Sequence, residues 1–548
     1  MFNYDSKCYP YPSQKTSVFG RNGMVCTSTP LAAQAGLDIL KKGGNAVDAA
    51  IASMITSTVV EPTMNGVGSD NYAIVWMKDK IYGMNASGPS AKNLSVDKLK
   101  EQGFDKMPTL GWHAVNVPGA PAGWYALSKR FGNLPFKDLF ETAIKYAEEG
   151  YPVSPQVTTD WESNVGLLKK CSQGTKIEGI PFKGLDEEQI KPFLEYFGKV
   201  PKPGEMYKNP DMAKTLRLLA ETNCDELYHG EIGKALVDFA NKCGGFMSME
   251  DLETYQPEWV DPIKVNYRGY DVWEIPPNGN GISLLMALNI LKGFDLTEKE
   301  STRTYHLLFE CMKLAYMDSM TYVTDSKYMR VTPEQMLDEN YASARRALIK
   351  DNEAIMPTPG RPDQGGTVYC ATADKDGNMV SMIQSNYMMF GSGITVPGYG
   401  FPLNNRGSQF TFNPEDANVL VGGKKSFHTI IPGFLSKDGE AIGPFGCVGA
   451  FIQPQGQLTL LTNMIDFGMN PQAAIDSPRW FWEEGKRVAV EKDLPEHIFD
   501  QLSRMGHQLV RGNYKPNMGR AQVIIRDPET GVLNGATDKR CDSNPAAY

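Results

Sequence analysis

The pattern of apolar and polar positions gives its first clear element just after residue 28. Thr29 suits a helix cap and Pro30 a first helical position; LAAQAGLDILKK follows with Leu37 and Leu40 at helical spacing, and Gly43-Gly44 closes the run. Asn45 is placed to cap a second helix, AVDAAIASMITSTVV, which is apolar nearly all round and is therefore expected to be buried until Glu61-Pro62 ends it. NYAIVW and IYGMN then read as short strands joined by the charged turn Lys78-Asp79-Lys80. Helices followed by strands predict the start of an α/β layer.

From Leu127 to Tyr341 the pattern is mainly helical, in LFETAIKYAEEG, MAKTLRLLAETN, IGKALVDFANKC and TYHLLFECMKLAYMDSM, with Pro- and Gly-containing loops between them. Residues 351–366, DNEAIMPTPGRPDQGG, have no periodicity and mix prolines and glycines with charges, which predicts an exposed flexible segment open to cleavage. The texture then turns to strands: TVYCATAD and MVSMIQSN flank Lys375-Asp376-Gly377-Asn378 and predict a hairpin. Further strands are expected at HTIIPGFL, EAIGPFG and QVIIRD, and helices at QGQLTLLTNMIDFG and LPEHIFDQLSRMG. No internal repeat stands out.

Composition narrows the class. The 548 residues are 41% hydrophobic and 22% charged, ordinary for a globular protein, and no apolar run approaches the ~18 residues of a membrane span. A net charge of −9 and a pI near 5.4 argue against a nucleic-acid-binding surface, so a small-molecule substrate is expected. The nine cysteines are scattered and never in C-x-x-C spacing, so neither a disulfide framework nor a zinc site is indicated, and no metal or cofactor is expected. The first residues, MFNYDSKCYPYPSQK, lack the basic start and apolar run of an export signal, so a cytoplasmic location is expected.

Candidate chemistry centres on Gly365-Gly366-Thr367, where the loop meets the first strand of the hairpin. A threonine hydroxyl is a weak nucleophile without a base, but at a chain terminus the residue's own α-amine, with a pKa near neutrality, supplies one. Cleavage of Gly366-Thr367 would create that terminus. The same hydroxyl could make the cut by attacking the preceding carbonyl, and the glycine pair permits the backbone geometry. Taken alone, Gly-Gly-Thr is more often a loop entering a strand.

The chain as a whole carries more. GMVCTSTPLAAQAGLDILKKGGNAVDAAIA and VVEPTMNGVGSD, then GGTVYCATADKDGNMVSMIQSN, FGSGITVPGYGFPLNN, DSPRW and DKRCDSNPAAY, run in order from residue 23 to 548 and resemble the blocks of the γ-glutamyltranspeptidase family. The resemblance implies an N-terminal-nucleophile hydrolase of mixed α and β class, a four-layer αββα sandwich. It implies a precursor that splits into a large subunit, 1–366, and a small one, 367–548, which stay together as one structural domain. Thr367 then resembles the family's nucleophile and Ser385 its assisting threonine. Gly449-Ala450 falls where two backbone N–H groups form the oxyanion site, which alanine tolerates provided its φ is negative. The partners implied are a small amide substrate and the two pieces of one precursor, with no nucleic acid or membrane; a homodimer is left open.

The substrate-binding positions depart from the family. Arg406 and Gln409 stand where the family has glutamine and aspartate, Tyr387 where it has asparagine, and His428-Thr429 where it has a serine pair. Around NASGPSAKNLSV no arginine is found where the large subunit should supply one; Asn93 and Leu94 are there instead. A pocket that loses a carboxylate and gains a guanidinium favours an acyl group with a carboxylate and no α-amine, as in oxamate amidohydrolase or dicarboxyl-acyl amidases. Arg406 as half of a structural salt bridge is the equal alternative, Asp70 reads as structural, and His428 has the ordinary alternative of a core histidine. The stretch from Phe410 to His428 is shorter than the family's lid-bearing one, which predicts an open site. The competing functions are a γ-glutamyltransferase or glutathione hydrolase with unusual contacts, and an unprocessed binding protein. Gly391-Ser392-Gly393 lacks the helix and ending of a phosphate loop, and there is no H-E-x-x-H or G-x-S-x-G motif.

Overall fold

The computed structural model describes residues 14–175, 184–357, 366–512 and 518–548. The first two helices form where their caps place them. Pro30–Lys41 opens at Thr29 and ends before Gly43, whose φ of 95° is the left-handed stop that glycine allows. Ala46–Val60 opens in a capping box: the Asn45 side chain accepts the N–H groups of Val47 and Asp48 while Asp48 takes that of Asn45. The two helices touch at Gly36, where a Cβ would lie 2.2 Å from Ser53 Oγ.

Among the described residues, two seven-stranded sheets lie between helical layers. In one, the order is Ala546–Ala547, Gly23–Thr27, Gly366–Asp374, Met379–Tyr387, Asp70–Met77, Lys80–Ala86 and Glu258–Val260. In the other it is Val18–Gly20, Leu533–Thr537, Arg520–Arg526, Glu440–Val448, Gly433–Lys437, Tyr270–Glu274 and Ile263–Tyr267. All the pairings within these two sheets are antiparallel.

Side-chain alternation shows the layering directly. On the first sheet Cys26, Tyr72, Ile74, Tyr369, Ala371 and Ile383 share a core with Phe434, Val448 and Ile524 of the second. Their neighbours Val25, Ala73, Val75, Val368, Cys370 and Met382 face the opposite way, into the core built by Pro30–Lys41 and Ala46–Val60. Leu435, Phe445 and Val523 likewise face outward, against Gly281–Leu291, Thr302–Tyr322 and Ile452–Ile465. This is the αββα sandwich that the resemblance implies.

Three expectations change. The helical middle also contributes a hairpin, Ile263–Tyr267 and Tyr270–Glu274, turned by Arg268 and Gly269 at φ 53° and 88°. HTIIPGFL is strand only from Gly433; His428 makes an isolated parallel bridge to Gly279. Of the segment expected to be exposed and flexible, 358–365 lie outside the described residues; Asp351, Asn352, Glu353 and Met356 are exposed as expected, but Ala354 is buried, its N–H donates to Met505 O (2.8 Å), and that of Ile355 to Glu310 Oε2 (3.0 Å).

Candidate active site

Strand register assembles the site. Ser385 pairs with Asp70 and Ile383 with Tyr72, so Asp70 and Ser385 face the inter-sheet core. Gly366 pairs with Tyr387 and Val368 with Gln384, and Thr367 lies in the register shift between them. A bulge of this kind re-aims a side chain at the end of a ladder. Thr367 is 1% exposed; its hydroxyl donates to Ser385 Oγ (3.1 Å), which also accepts the Tyr387 N–H (2.8 Å).

A third group reaches Thr367 from the second sheet's helical layer. Gln453, in the first turn of Ile452–Ile465, accepts the Ile431 N–H on its Oε1 (3.1 Å) and thereby turns its Nε2 toward Thr367 Oγ1 (3.5 Å). Gly449-Ala450, three to four residues earlier, makes the turn from Glu440–Val448 into this helix, with φ of 122° and 57°. The negative φ expected of Ala450 is thus not found. The strand runs almost directly into the helix, and only left-handed residues turn the chain so sharply. Ala450→Gly should therefore be tolerated and raise stability by about 1 kcal/mol, measured by urea unfolding, because alanine is strained in this conformation.

Arg406 is fully buried. Its Nε donates to Asp70 Oδ2 (3.1 Å), its Nη1 to Thr429 Oγ1 (2.9 Å), and its guanidinium lies 4.5 Å from the centre of the Tyr387 ring. Its Nη2 has no hydrogen-bond partner among the described residues. His428 accepts the Ile430 N–H on Nδ1 (3.3 Å), so its Nε2 carries the proton donated to Asp70 Oδ2 (2.9 Å). Burial, reinforced by Arg406, pushes the His428 pKa down to about 4, and the ring is neutral at neutral pH. Burial alone would raise the Asp70 carboxyl, but His428, Arg406 and the Gly88 N–H outweigh it and hold it below the usual value. Gln409 donates its amide to the Tyr387 hydroxyl, and Tyr387 itself has a φ of 79°, in the left-handed region that a bulky residue rarely adopts.

Most of what converges here is named by the sequence: Asp70, read there as structural, is the partner in the salt bridge weighed for Arg406, and only Gln453 is not named. Asp70 belongs to the site, so the pocket has not exchanged a negative for a positive charge; it holds a buried pair. The alternation Asp70-Tyr72-Ile74-Trp76 carried that signal. Gln453 was legible only as the third residue after Gly449-Ala450. The open site is also corrected: Thr367, Tyr387, Arg406, His428 and Thr429 are all buried, and Phe427 at the end of the short stretch stacks on Phe451 at 5.8 Å. Of the stretch where the large-subunit arginine is missing, Asn93 is exposed, Leu94 is buried, and the neighbouring Lys92 is exposed and paired with Glu250.

A four-layer αββα sandwich with a hydroxyl residue at the head of a central strand defines the class of N-terminal-nucleophile hydrolases. Residues 32–548 match the family model for gamma-glutamyltranspeptidase. The chain belongs to that family, among its amide hydrolases and acylases. It is 36% identical to the glutathione hydrolase-like YwrD proenzyme of Bacillus subtilis (96% of this chain, 98% of the relative). It is 32% identical to the acylase ACY 1 proenzyme of Pseudomonas sp. strain SE83 (98% and 95%). The crystal structure of cephalosporin acylase from Bacillus halodurans superposes with a TM-score of 0.94 at 48% identity, covering 100% of this chain and 99% of that one. Among the described residues no helix is long and apolar enough to cross a membrane.

Proposed function

We propose that the chain cuts itself between Gly366 and Thr367 and that Thr367, now N-terminal, hydrolyses a small amide whose acyl group ends in a carboxylate. The observation that carries this reading is the buried Thr367 hydroxyl, held by Ser385 and Gln453, on a strand whose partner residue Tyr387 has its ring 4.5 Å from a buried guanidinium with one unpaired nitrogen. Unpaired buried donors are costly, and a substrate carboxylate on Arg406 Nη2 would satisfy this one.

In the cut, Thr367 Oγ1 attacks the Gly366 carbonyl carbon, the C–N bond breaks as the nitrogen takes the hydroxyl proton, and water hydrolyses the resulting ester. This frees the Gly366 carboxylate and the Thr367 α-amine. In turnover that amine accepts the Oγ1 proton as the hydroxyl attacks the substrate amide and passes it to the departing amine; water then releases the acid. The N–H groups of Gly449 and Ala450, beside the start of the Gln453 helix, would stabilise the oxyanion. Ser385 would orient the nucleophile, and Tyr387, Gln409, His428 and Thr429 would shape the acyl pocket around Arg406. The pieces, 1–366 and 367–548, would remain one domain, because both sheets take strands from each.

Asp70 disfavours the γ-glutamyl alternative. Its Oδ1 accepts the Gly88 N–H (3.2 Å) and its Oδ2 both Arg406 and His428, so both oxygens already serve the protein's own donors. The purified protein should run as two co-purifying pieces, the smaller beginning at Thr367 by N-terminal sequencing. A panel of oxamate, glutaryl and succinyl amides and γ-glutamyl anilide should favour an acid without an α-amine. A single full-length band after long incubation refutes the cut, and preference for the γ-glutamyl anilide refutes the acyl assignment.

A further inference from the structure

A second buried polar cluster lies away from Thr367's contacts. His306, Glu310 and Lys313 on the helix Thr302–Tyr322 and His507 before the strand Gln508–Gly512 have fully buried side chains. His306, Glu310 and His507 have the makings of a metal site, but the Lys313 ammonium, 2.6 Å from Glu310 Oε1, already supplies the cation.

The hydrogen-bond directions close into one chain. The Lys350 carbonyl can only accept, so His306 Nε2 carries a proton and donates to it (2.7 Å). His306 Nδ1 must then accept, and it does so from His507 Nε2 (2.9 Å). His507 Nδ1 in turn accepts from Lys313 Nζ (3.4 Å). Lys313 pairs with Glu310, whose other oxygen receives the Ile355 N–H (3.0 Å). Burial keeps both imidazoles from taking a second proton, which fixes these tautomers. Both ends of the chain therefore fall on one stretch of backbone, Lys350 to Ile355, and the adjoining Ala354 N–H is held by Met505 O. His507 and Met505 lie after Thr367, and every other member before it.

We infer that this network is a latch that docks the end of the large subunit onto the small one, holding Lys350–Ile355 in place before and after the cut. The inference about the cut form rests on the self-cleavage proposed above; the latch in the uncut chain does not. Once the peptide is broken, nothing covalent ties the end of the large subunit to the small one, and the latch holds Lys350–Ile355 there by hydrogen bonds.

The test compares the wild type with His507→Phe, which keeps a ring and removes both nitrogens. Each two-subunit protein is exposed to a carboxypeptidase and the large subunit is weighed by intact mass spectrometry. Trimming of the wild type should stop beyond Ile355, and that of His507→Phe should continue past Lys350. In parallel, hydrogen exchange on the uncut Thr367→Ala chain should show the Ile355 amide protected roughly tenfold or more. That arm decides the question even where His507→Phe fails to fold or the wild type is never cut, and the latter refutes only the self-cleavage. Trimming of the wild type past Lys350, identical end points in the two folded proteins, or fast exchange at Ile355 overturns the latch.

Discussion

Thr367→Ala protein should accumulate as one uncut chain and turn over no amide, a loss on the order of a million-fold in kcat. The size follows from using one atom twice: Oγ1 is both the nucleophile that would break Gly366-Thr367 and the one that would accept the acyl group. Folding should be spared, because the Thr367 hydroxyl makes only one bond to Ser385 and a long one from Gln453, and its strand is held on both sides, by Met379–Tyr387 and Gly23–Thr27. Thr367→Ser should still cut, more slowly, since serine keeps the hydroxyl but loses the β-branch that restricts its rotamer. Gel electrophoresis under denaturing conditions and hydrolysis of the best substrate measure both. Full activity in the alanine variant would move the nucleophile elsewhere.

How much of this was written in the sequence depends on how local the cause is. Asn45, Gly43 and the even burial of Ala46–Val60 act within a few residues, and the elements formed as read. The strand alternation around Ile74 and Ile383 likewise shows on the chain itself. The hairpin at Arg268-Gly269 was hidden between helices, because one short turn with two left-handed residues is a weak signal next to long helical periodicity. The site was legible as residue types and not as partners. Arg406 and Asp70 are 336 positions apart, and only the register that pairs Ser385 with Asp70 brings them together. A conformation such as the positive φ of Ala450 is set by how tightly strand meets helix, which no residue type announces.

Arg406→Gln should lower kcat/KM for the preferred carboxylated amide by about one to three powers of ten while the precursor is still cut, since the cut engages no bound carboxylate. The single variant has a second effect. Asp70 would stay buried without its cation, and breaking such a pair costs about 3–5 kcal/mol. His428 should respond: Arg406 helps hold its pKa at about 4, and with that charge gone and Asp70 uncompensated the pKa should rise. In the wild type a folded His428 pKa of about 4, below the unfolded value of about 6.5, costs stability as pH falls below that unfolded value, and raising it in the variant relieves part of that cost. The stability deficit of Arg406→Gln should therefore be smaller at pH 5 than at pH 8, measured by urea midpoints. Asp70→Asn with Arg406→Gln removes both charges and should recover much of the lost stability without recovering selectivity. Arg406→Gln with Gln409→Asp should shift preference toward γ-glutamyl compounds only slightly, because Tyr387 and the absent large-subunit arginine remain unchanged. The deciding quantity is the ratio of kcat/KM for carboxylated and uncharged amides. If Arg406→Gln lowers both equally, the guanidinium serves Asp70 alone and the substrate carboxylate is held by another group.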